Sequence, residues 1–210
     1  MNLYYFYINY NTYTIMHLFF STPVWTSKIN NFKNANKEIY NYILALQKRD
    51  PNGQIKSNFN GWHSKDFDLK ENAPKNLINL FAPSINLALK EMAWDLEKQE
   101  IKITNMWAII NTKGAFNQKH QHGNSDISAA YYVNAPDDCG DIAFYDPRPA
   151  PLFRHPLAKE PNILNATVNS IKPEEGMLVL FPSYLEHSVN PNLSDKKRIV
   201  ISFNLSVIQK

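Results

Sequence analysis

The stretch KPEEGMLVLFPSYLEHSVN, residues 172–190, combines a short apolar run with turn residues on both sides. Gly176 precedes a run of five apolar residues, and Pro182 ends that run. This arrangement is typical of a short buried strand between two turns. His187 follows the second turn, where the next short strand is expected. Short strands separated by tight turns predict a β-sandwich or a β-barrel.

The second half of the chain has the same texture from residue 101 onward. Runs rich in Ile, Val, Tyr and Phe alternate there with clusters of Gly, Pro, Asn and Asp, which are typical of strands and their turns. We predict seven strands, at residues 101–111, 127–134, 141–145, 166–171, 177–181, 187–190 and 198–207. The C-terminal half is therefore predicted to be β structure.

The first half of the chain predicts helices. Apolar residues recur at helical spacing over residues 28–48, and the pattern ends at the turn signal DPNG, residues 50–53. A second helical pattern runs from Leu77 to Leu96, and we expect an interruption at Pro83 because proline lacks a backbone N–H. The predicted fold class is mainly β with N-terminal helices (α+β), with helical support over 28–98 and a barrel over 101–207.

Length and composition are typical of one globular domain. The chain has 210 residues, of which 44% are hydrophobic and 20% charged. This length is enough for one substantial core, whereas two domains would each be unusually small. Met16 begins a segment that can serve as the true start, so we expect one domain at 16–210 and an extension or mis-assigned start at 1–15.

Charge and cysteine content exclude several functional classes. The net charge is only +3 and the basic residues are scattered, so no nucleic-acid partner is expected. The apolar N-terminus is interrupted by Asn2, Asn9 and Asn11, and it predicts neither a signal peptide nor a membrane span. The single Cys139 cannot form an internal disulfide, which favours a cytoplasmic location.

Two short segments hold the candidate metal ligands. His120 and His122 are two residues apart, so on an extended backbone both imidazoles project from one face and can converge on one ion. His187 would add a third imidazole from a neighbouring strand. The sequence therefore predicts a metal site built from these three histidines.

Five other residues receive no metal role. His17, His63 and His155 have no partner pattern, so we expect them to be solvated or to cap an element. Trp107 is expected in the core, while Asn111 is a weaker candidate for contact with a bound cosubstrate.

The glycine and histidine spacings resemble the two cupin motifs. Gly114 stands six residues before the first histidine, and Gly176 is followed by Pro182 and then by the third histidine. Asp126 stands near the place of the cupin glutamate, and Tyr184 occupies the place of the second glycine. The resemblance implies a double-stranded β-helix, also called a jelly roll or cupin-like barrel, without membership of the cupins proper.

A second resemblance covers more of the chain. Residues 172–189 and 198–204 resemble the C-terminal half of the 2-oxoglutarate/Fe(II)-dependent oxygenases of the prolyl-hydroxylase-like type. Residues 127–134 and 140–144 are similar to the strands that follow the first metal-ligand motif in that superfamily. The similarity extends over residues 20–204, and it is to a small bacterial and phage branch.

The resemblance assigns roles to further residues. In the superfamily the distal histidine binds iron, a later basic residue binds the far carboxylate of 2-oxoglutarate, and a tyrosine can share that carboxylate. His187, Arg198 and Tyr132 stand in these places. A guanidinium fork matches a carboxylate bidentately. Ser202 faces the same side of its strand as Arg198, so it can add a hydrogen bond.

The chain departs from the superfamily at one metal ligand. Most members bind iron through two histidines and one carboxylate. With His120 as first ligand, His122 replaces the carboxylate; with His122 as first ligand, Asn124 stands there and is a poor ligand. We rank His120, His122 and His187 first, two histidines with water second, and a set including Asp126 third. A three-histidine site suits Fe(II) and also accepts Zn, Ni or Cu.

The second resemblance implies an oxidoreductase. Such an enzyme uses Fe(II), 2-oxoglutarate and oxygen to hydroxylate a substrate, here unidentified, and releases succinate and carbon dioxide. Two alternatives stay open. A cupin-type metal enzyme would use the same histidines without needing Arg198, and a non-catalytic barrel would only bind a small ligand.

Overall fold

The computed structural model describes residues 16–149 and 156–210. In these ranges the chain forms two helices and eleven strands, in the order β1 (Trp25–Lys28), α1 (Phe32–Arg49), β2 (Asn58–Phe59), β3 (Trp62–His63), α2 (Asn72–Glu91), β4 (Gln99–Asn111), β5 (Phe116–His120), β6 (Ile127–Asn134), β7 (Ile142–Tyr145), β8 (Val168–Ile171), β9 (Met177–Pro182), β10 (His187–Val189) and β11 (Arg198–Gln209). The extension expected at residues 1–15, and His155, lie outside the described residues. Neither helix of the described ranges has both the length and the apolar character needed to cross a bilayer.

The strands form two antiparallel sheets. One has six strands, in the order β1-β9-β6-β11-β4-β3, and the other has five, in the order β2-β5-β10-β7-β8. All seven strands predicted from the sequence are present, with ends within two residues of the predicted ones. The prediction of a mainly β fold with N-terminal helices is confirmed.

Strand β11 shows why the six-stranded sheet is apolar on both faces. Ile199, Ile201 and Phe203 are buried in the core that also contains the helices. Val200 belongs to a second apolar cluster, which includes Phe144 of the five-stranded sheet. Successive side chains of a strand point to opposite faces, so β11 packs against the helices on one face and the other sheet on the other. This explains its nearly continuous apolar sequence.

A buried asparagine ties helix α1 to strand β6. The Nδ2 of Asn36 donates to the carbonyl oxygen of Val133 at 2.9 Å, and the hydroxyl of Tyr131 donates to the Oδ1 of Asn36 at 2.6 Å. Ile39 and Ile43 lie three and seven residues further along the helix and are fully buried on the same face. The polar side chain is therefore satisfied inside an apolar interface.

Helix α2 continues through Pro83, so the predicted interruption is wrong. The buried face of α2 includes Phe81 before the proline and Ile85 after it. Pro83 is exposed, and so is Asn79, whose carbonyl loses its helical partner. Water can satisfy that carbonyl on the exposed side, so packing of the buried face preserves one continuous helix.

The sequence did not predict strands β1, β2, β3 and β5. Strands β2 and β3 have only two residues each, too few to show an alternating pattern. Strand β1 ends at Lys28, where the helical pattern begins, and α1 starts only at Phe32, after Asn31 with a φ of 56°. Helix α2 ends at Glu91, so Leu96 lies outside it.

Candidate metal and cosubstrate site

A cavity of about 760 Å³ lies between the two sheets. It is lined by all six residues that the sequence assigned to the site, namely His120, His122, Tyr132, His187, Arg198 and Ser202. Its volume falls within the roughly 300–1,000 Å³ of small-molecule sites. The site is therefore large enough for a cosubstrate together with part of a second molecule.

Strand register brings the predicted histidines together. His187, the first residue of β10, is paired with His120, the last residue of β5. His122 lies just beyond β5, and its backbone N–H donates to the carbonyl oxygen of Ser183 at 2.9 Å. The three ring centroids are 4.3 to 5.2 Å apart, and one ring nitrogen of each lies within 4.8 Å of the others. Strand β5 ends at His120, so His122 lies in the loop that follows the strand rather than on the strand itself.

Hydrogen bonds fix the tautomers of two of these histidines. The Nδ1–H of His187 donates to the carbonyl oxygen of Leu185 at 2.9 Å, and the Nδ1–H of His120 donates to that of Gln118 at 2.7 Å. A carbonyl oxygen can only accept, so Nε2 carries the lone pair in both rings. The hydroxyl of Ser57 lies 3.4 Å from the Nε2 of His120. Both rings are thus oriented by partners outside the cluster, as metal-ligating histidines usually are.

Burial keeps the three imidazoles neutral. Desolvation, followed by repulsion from His120, lowers the pKa of His187 to about 3. The same two causes lower the pKa of His122 to about 4, and burial also lowers the pKa of His120. The Phe181 ring packs against His187 with centroids 4.7 Å apart. Neutral imidazole is the form that binds a metal ion.

Asp126 is outside the histidine cluster. Its Oδ2 accepts the backbone N–H of Val207 at 2.7 Å, and its side chain is exposed. Among the described residues, His120, His122 and His187 are the one group of His, Cys, Asp or Glu side chains with metal-ligand spacing. The geometry therefore favours the three-histidine set over the set that includes Asp126.

Arg198 is a buried cation held by uncharged acceptors. Only 1% of it is exposed. Its Nη1 donates to the carbonyl oxygens of Cys139, of Gly140 at 3.1 Å and of Asn190 at 3.2 Å. Its Nη2 is buried and has no hydrogen-bond partner among the described residues. Such a group is costly unless a bound molecule pairs with it, so this guanidinium fits an incoming carboxylate.

Tyr132 and Ser202 lie on the same cavity wall as Arg198. Tyr132 is 1% exposed, and burial raises the pKa of its phenol while Arg198 opposes that shift. The hydroxyl therefore stays protonated and can donate a hydrogen bond. Arg198, Val200 and Ser202 all line the cavity, as expected for alternate residues of one strand.

The side chains present fit both Fe(II) and 2-oxoglutarate. Three neutral imidazoles suit a first-row divalent metal. The unpaired Nη2 of Arg198 and the hydroxyl of Tyr132 supply donors for the far end of a dicarboxylate. No negatively charged side chain of the described residues joins the three histidines, so a bound divalent ion would keep its full positive charge for an anionic cosubstrate.

The structure corrects one of the remaining sequence-based assignments and confirms another. His63 is 6% exposed and lines the cavity, so the expectation of a solvated or capping residue is wrong. Trp107 is a buried core residue, as expected, and its ring also lines the cavity. Its ring stacks between His63 and His122, with centroid distances of 5.7 and 5.8 Å. The two-residue strand that carries His63 gives no sequence signal that could have identified it.

Asn111 is not among the residues that line the cavity. Its Nδ2 donates to the Oδ1 of Asn117 at 3.1 Å, and Asn111 is fully buried. The cavity lining therefore gives no support to a cosubstrate contact of Asn111. Its position opposite Arg198 in the β4–β11 pairing places it beside the site rather than in it.

A family model described as "Putative 2OG-Fe(II) oxygenase" matches residues 105–204. This range contains the three histidines, Tyr132, Arg198 and Ser202. This match supports membership of the 2-oxoglutarate/Fe(II)-dependent oxygenase superfamily. The resemblance inferred from the sequence motifs is thus confirmed, and the oxygenase is an oxidoreductase whose cofactors are Fe(II) and 2-oxoglutarate.

Solved structures confirm the fold of this oxygenase. A prolyl-4-hydroxylase from Pseudomonas putida aligns with a TM-score of 0.61 at 14% identity, over 89% of this chain and 93% of that one. A viral collagen prolyl hydroxylase from Paramecium Bursaria Chlorella virus-1, in complex with 2-oxoglutarate, aligns with a TM-score of 0.54 at 15% identity, over 87% and 94%. At such identities the likeness establishes the double-stranded β-helix.

A third solved structure contains ligands. HygX from Streptomyces hygroscopicus, with nickel, 2-oxoglutarate and hygromycin B bound, aligns with a TM-score of 0.56 at 12% identity, over 88% of the oxygenase and 83% of HygX. A search of curated protein sequences found no match to the oxygenase.

Proposed function

We propose that this oxygenase hydroxylates a carbon of its substrate, with His120, His122 and His187 holding the iron and Arg198 holding 2-oxoglutarate. One observation carries the assignment. A buried guanidinium with an unpaired Nη2 lies on the cavity that also contains three neutral imidazoles at metal-ligand spacing. A cupin-type metal enzyme or a binding barrel would not need that cation.

The five-stranded sheet and its adjoining loop would supply the iron ligands. His187 and His120 face each other at strand ends, and each directs Nε2 away from a backbone acceptor. The carbonyl oxygen of Ser183 accepts the backbone N–H of His122 and so holds the loop of that histidine. Three protein ligands leave open positions on a six-coordinate ion.

The six-stranded sheet would hold the cosubstrate. Arg198 supplies the permanent charge, Tyr132 a phenolic donor, and Ser202 a further hydroxyl on the same wall. With 2-oxoglutarate and oxygen, the bound iron supplies the oxidising chemistry, in which one oxygen atom enters the substrate and the other enters succinate while carbon dioxide leaves.

Apolar side chains between the two groups would exclude water. Ile142, Phe181, Val189 and Val200 line the cavity together with the polar site. A dry site strengthens the interaction between Arg198 and a carboxylate, and it protects reactive species from side reactions.

The proposal is tested by loading the purified protein with Fe(II) in the absence of air and adding 2-oxoglutarate. We expect a visible charge-transfer band, and succinate after oxygen is admitted. Metal-free protein and protein loaded with redox-inactive Zn(II) are the controls. Full iron occupancy without the band and without succinate would contradict the proposal and favour the cupin-type or ligand-binding alternative.

A further inference from the structure

His63 is held rigidly at the wall of the cavity. Its carbonyl oxygen accepts the backbone N–H of Gln54 at 2.8 Å, and strand β3 pairs it with Ile109. Its Nδ1–H donates to the carbonyl oxygen of Ser64 at 2.6 Å. The imidazole also lies nearly parallel to the Trp107 ring, at an interplanar angle of 13°. Backbone, side-chain and stacking contacts therefore fix one orientation of this ring.

The second ring nitrogen of His63 is an acceptor without a donor. Because Nδ1 donates to a carbonyl oxygen, Nε2 carries the lone pair. No described residue donates a hydrogen bond to it, and His63 is not part of the histidine cluster that can hold a metal. This nitrogen is not among the buried atoms that lack a hydrogen-bond partner, so it is accessible from the cavity. Its place on the cavity wall allows a bound molecule to donate a hydrogen bond to it.

Trp107 sets the separation between His63 and the metal ligands. Its ring stacks on His63 at 5.7 Å and on His122 at 5.8 Å between centroids. A molecule that donates to His63 therefore extends past one aromatic ring to reach the metal site. Small molecules have this reach, and the cavity of about 760 Å³ has room for part of one beside 2-oxoglutarate.

Two opposite charges lie near His63 at the cavity. Lys56 and Asp66 both line it, and they shift the pKa of His63 in opposite directions. His120 is the one other titratable side chain of the described residues that affects the pKa of His63. Burial lowers the pKa of His120, so its imidazole is neutral at neutral pH. Neither Lys56 nor Asp66 forms an ion pair in the described part of the chain, whereas the adjacent Lys65 lies 3.4 Å from Asp50. A ligand with both a carboxylate and an ammonium group would complement them.

We propose that this end of the cavity binds the substrate, and that the substrate is a free amino acid or a similar small zwitterion. Its ammonium or hydroxyl group donates to the Nε2 of His63, its charged groups face Asp66 and Lys56, and the carbon to be oxidised points toward the three histidines. This inference rests on the proposed function, because it names the substrate class of the same site.

Binding is tested on the protein loaded with Zn(II), with and without 2-oxoglutarate, by isothermal titration calorimetry. The probes are the common free L-amino acids and, for each that binds, the N-acetyl amide in which both charges are removed. We expect at least one free amino acid to bind at one site, and the capped form to bind roughly ten- to a hundredfold more weakly. Absence of binding by every free amino acid, or equal binding by the capped form, would overturn the proposal.

Two substitutions of His63 distinguish the roles of its two ring nitrogens. In His63→Asn the amide nitrogen can replace Nδ1 on Ser64, but the acceptor facing the cavity is lost. In His63→Gln the amide oxygen can reach the place of Nε2. We expect about a tenfold or greater loss of amino-acid binding in His63→Asn, and partial recovery in His63→Gln. Unchanged binding in His63→Asn would overturn the role of this residue.

The charges are tested by Lys56→Gln and Asp66→Asn, with Lys65→Gln as a matched control. We expect weaker amino-acid binding in the first two variants and none of that effect in the control. Binding of Zn(II) and 2-oxoglutarate should remain as in the wild type in all of them. Failure of the wild-type protein to bind 2-oxoglutarate would contradict the proposed function. Normal 2-oxoglutarate binding without amino-acid binding would contradict only the substrate class.

Discussion

The two sheets contribute different chemistry to the same cavity. The five-stranded sheet and its loop supply neutral imidazoles at the ends of short strands, whereas the six-stranded sheet supplies a permanent cation on a strand paired along its whole length. The position of the histidines therefore depends on strand ends and on one loop, and that of Arg198 depends on register. If each sheet binds one ligand, a substitution in the five-stranded sheet should leave 2-oxoglutarate binding unchanged. A substitution in the six-stranded sheet should leave metal binding unchanged.

The largest expected effect is loss of the metal in His187→Ala. His187 is buried, and its Nε2 is free because its Nδ1–H donates to the carbonyl oxygen of Leu185. Alanine removes this nitrogen and leaves no ligand atom in its place. We expect no stoichiometric Fe(II) binding in an anaerobic titration of this variant. The circular dichroism spectrum should match that of the wild type. Retention of one iron per chain would contradict the metal assignment.

Substitution of Arg198 should produce the reverse pattern. Leaving a carboxylate desolvated and unpaired costs about 2–5 kcal/mol, which is roughly thirtyfold to several thousandfold in affinity for 2-oxoglutarate. Arg198→Ala should keep its iron and lose the charge-transfer band, and Arg198→Lys should recover part of it because a point charge replaces a fork. Arg148→Ala is the control, since Arg148 is paired with Asp146 at 2.8 Å and does not line the cavity. Loss of iron along with 2-oxoglutarate in Arg198→Ala would show that the two sheets are not independent.

A smaller difference is expected within the five-stranded side of the site. His120→Ala and His122→Ala should each weaken Fe(II) binding, and Asp126→Ala should leave it nearly unchanged, because the Asp126 carboxylate accepts the N–H of Val207. Affinities for Fe(II) or Co(II) can be compared by anaerobic titration. A larger effect in Asp126→Ala than in either histidine variant would restore the carboxylate as a ligand.

The smallest effect concerns the stability of the metal-free protein at mildly acidic pH. Burial lowers the pKa of His187 to about 3 and of His122 to about 4, whereas both are near 6.5 in an unfolded chain. The unfolded state therefore binds protons first, so the free energy of unfolding is at its full value above about pH 6.5 and falls below it, by up to roughly 1.4 kcal/mol per pH unit for each histidine. Urea unfolding across this range checks the slope.

A matched pair of variants assigns that slope to one sheet. His187→Gln should decline less steeply with falling pH, because one titrating group has been removed. Ser202→Ala should keep the wild-type slope, since a hydroxyl on the other sheet does not titrate in this range. Equal slopes in all three proteins would contradict the neutral, desolvated state of His187.

The same division explains how much the sequence could predict. Strand β11 was predicted to within two residues because its apolar run is long. The resemblance singled out Arg198, and strand alternation placed Ser202 on the same face, which lines the cavity. The histidine cluster followed from spacing, although the loop that carries His122 did not. His63 could not be found, because a two-residue strand has no periodicity and its burial arises from pairing with distant β4.

The acceptors that hold Arg198 carry a consequence for how related chains can diverge. Nη1 binds the main-chain oxygens of residues 139, 140 and 190, and every amino acid presents the same carbonyl. The exposed side chain at position 190 can therefore change without loosening the guanidinium, whereas Cys139 is buried and its side chain is constrained by packing. Gly140 is also constrained, since it has a φ of 87° and a Cβ there would overlap the carbonyl oxygen of Asn190. The position of Arg198 therefore depends on the backbone conformation and on a glycine at position 140. A comparison of side chains alone would not detect this dependence.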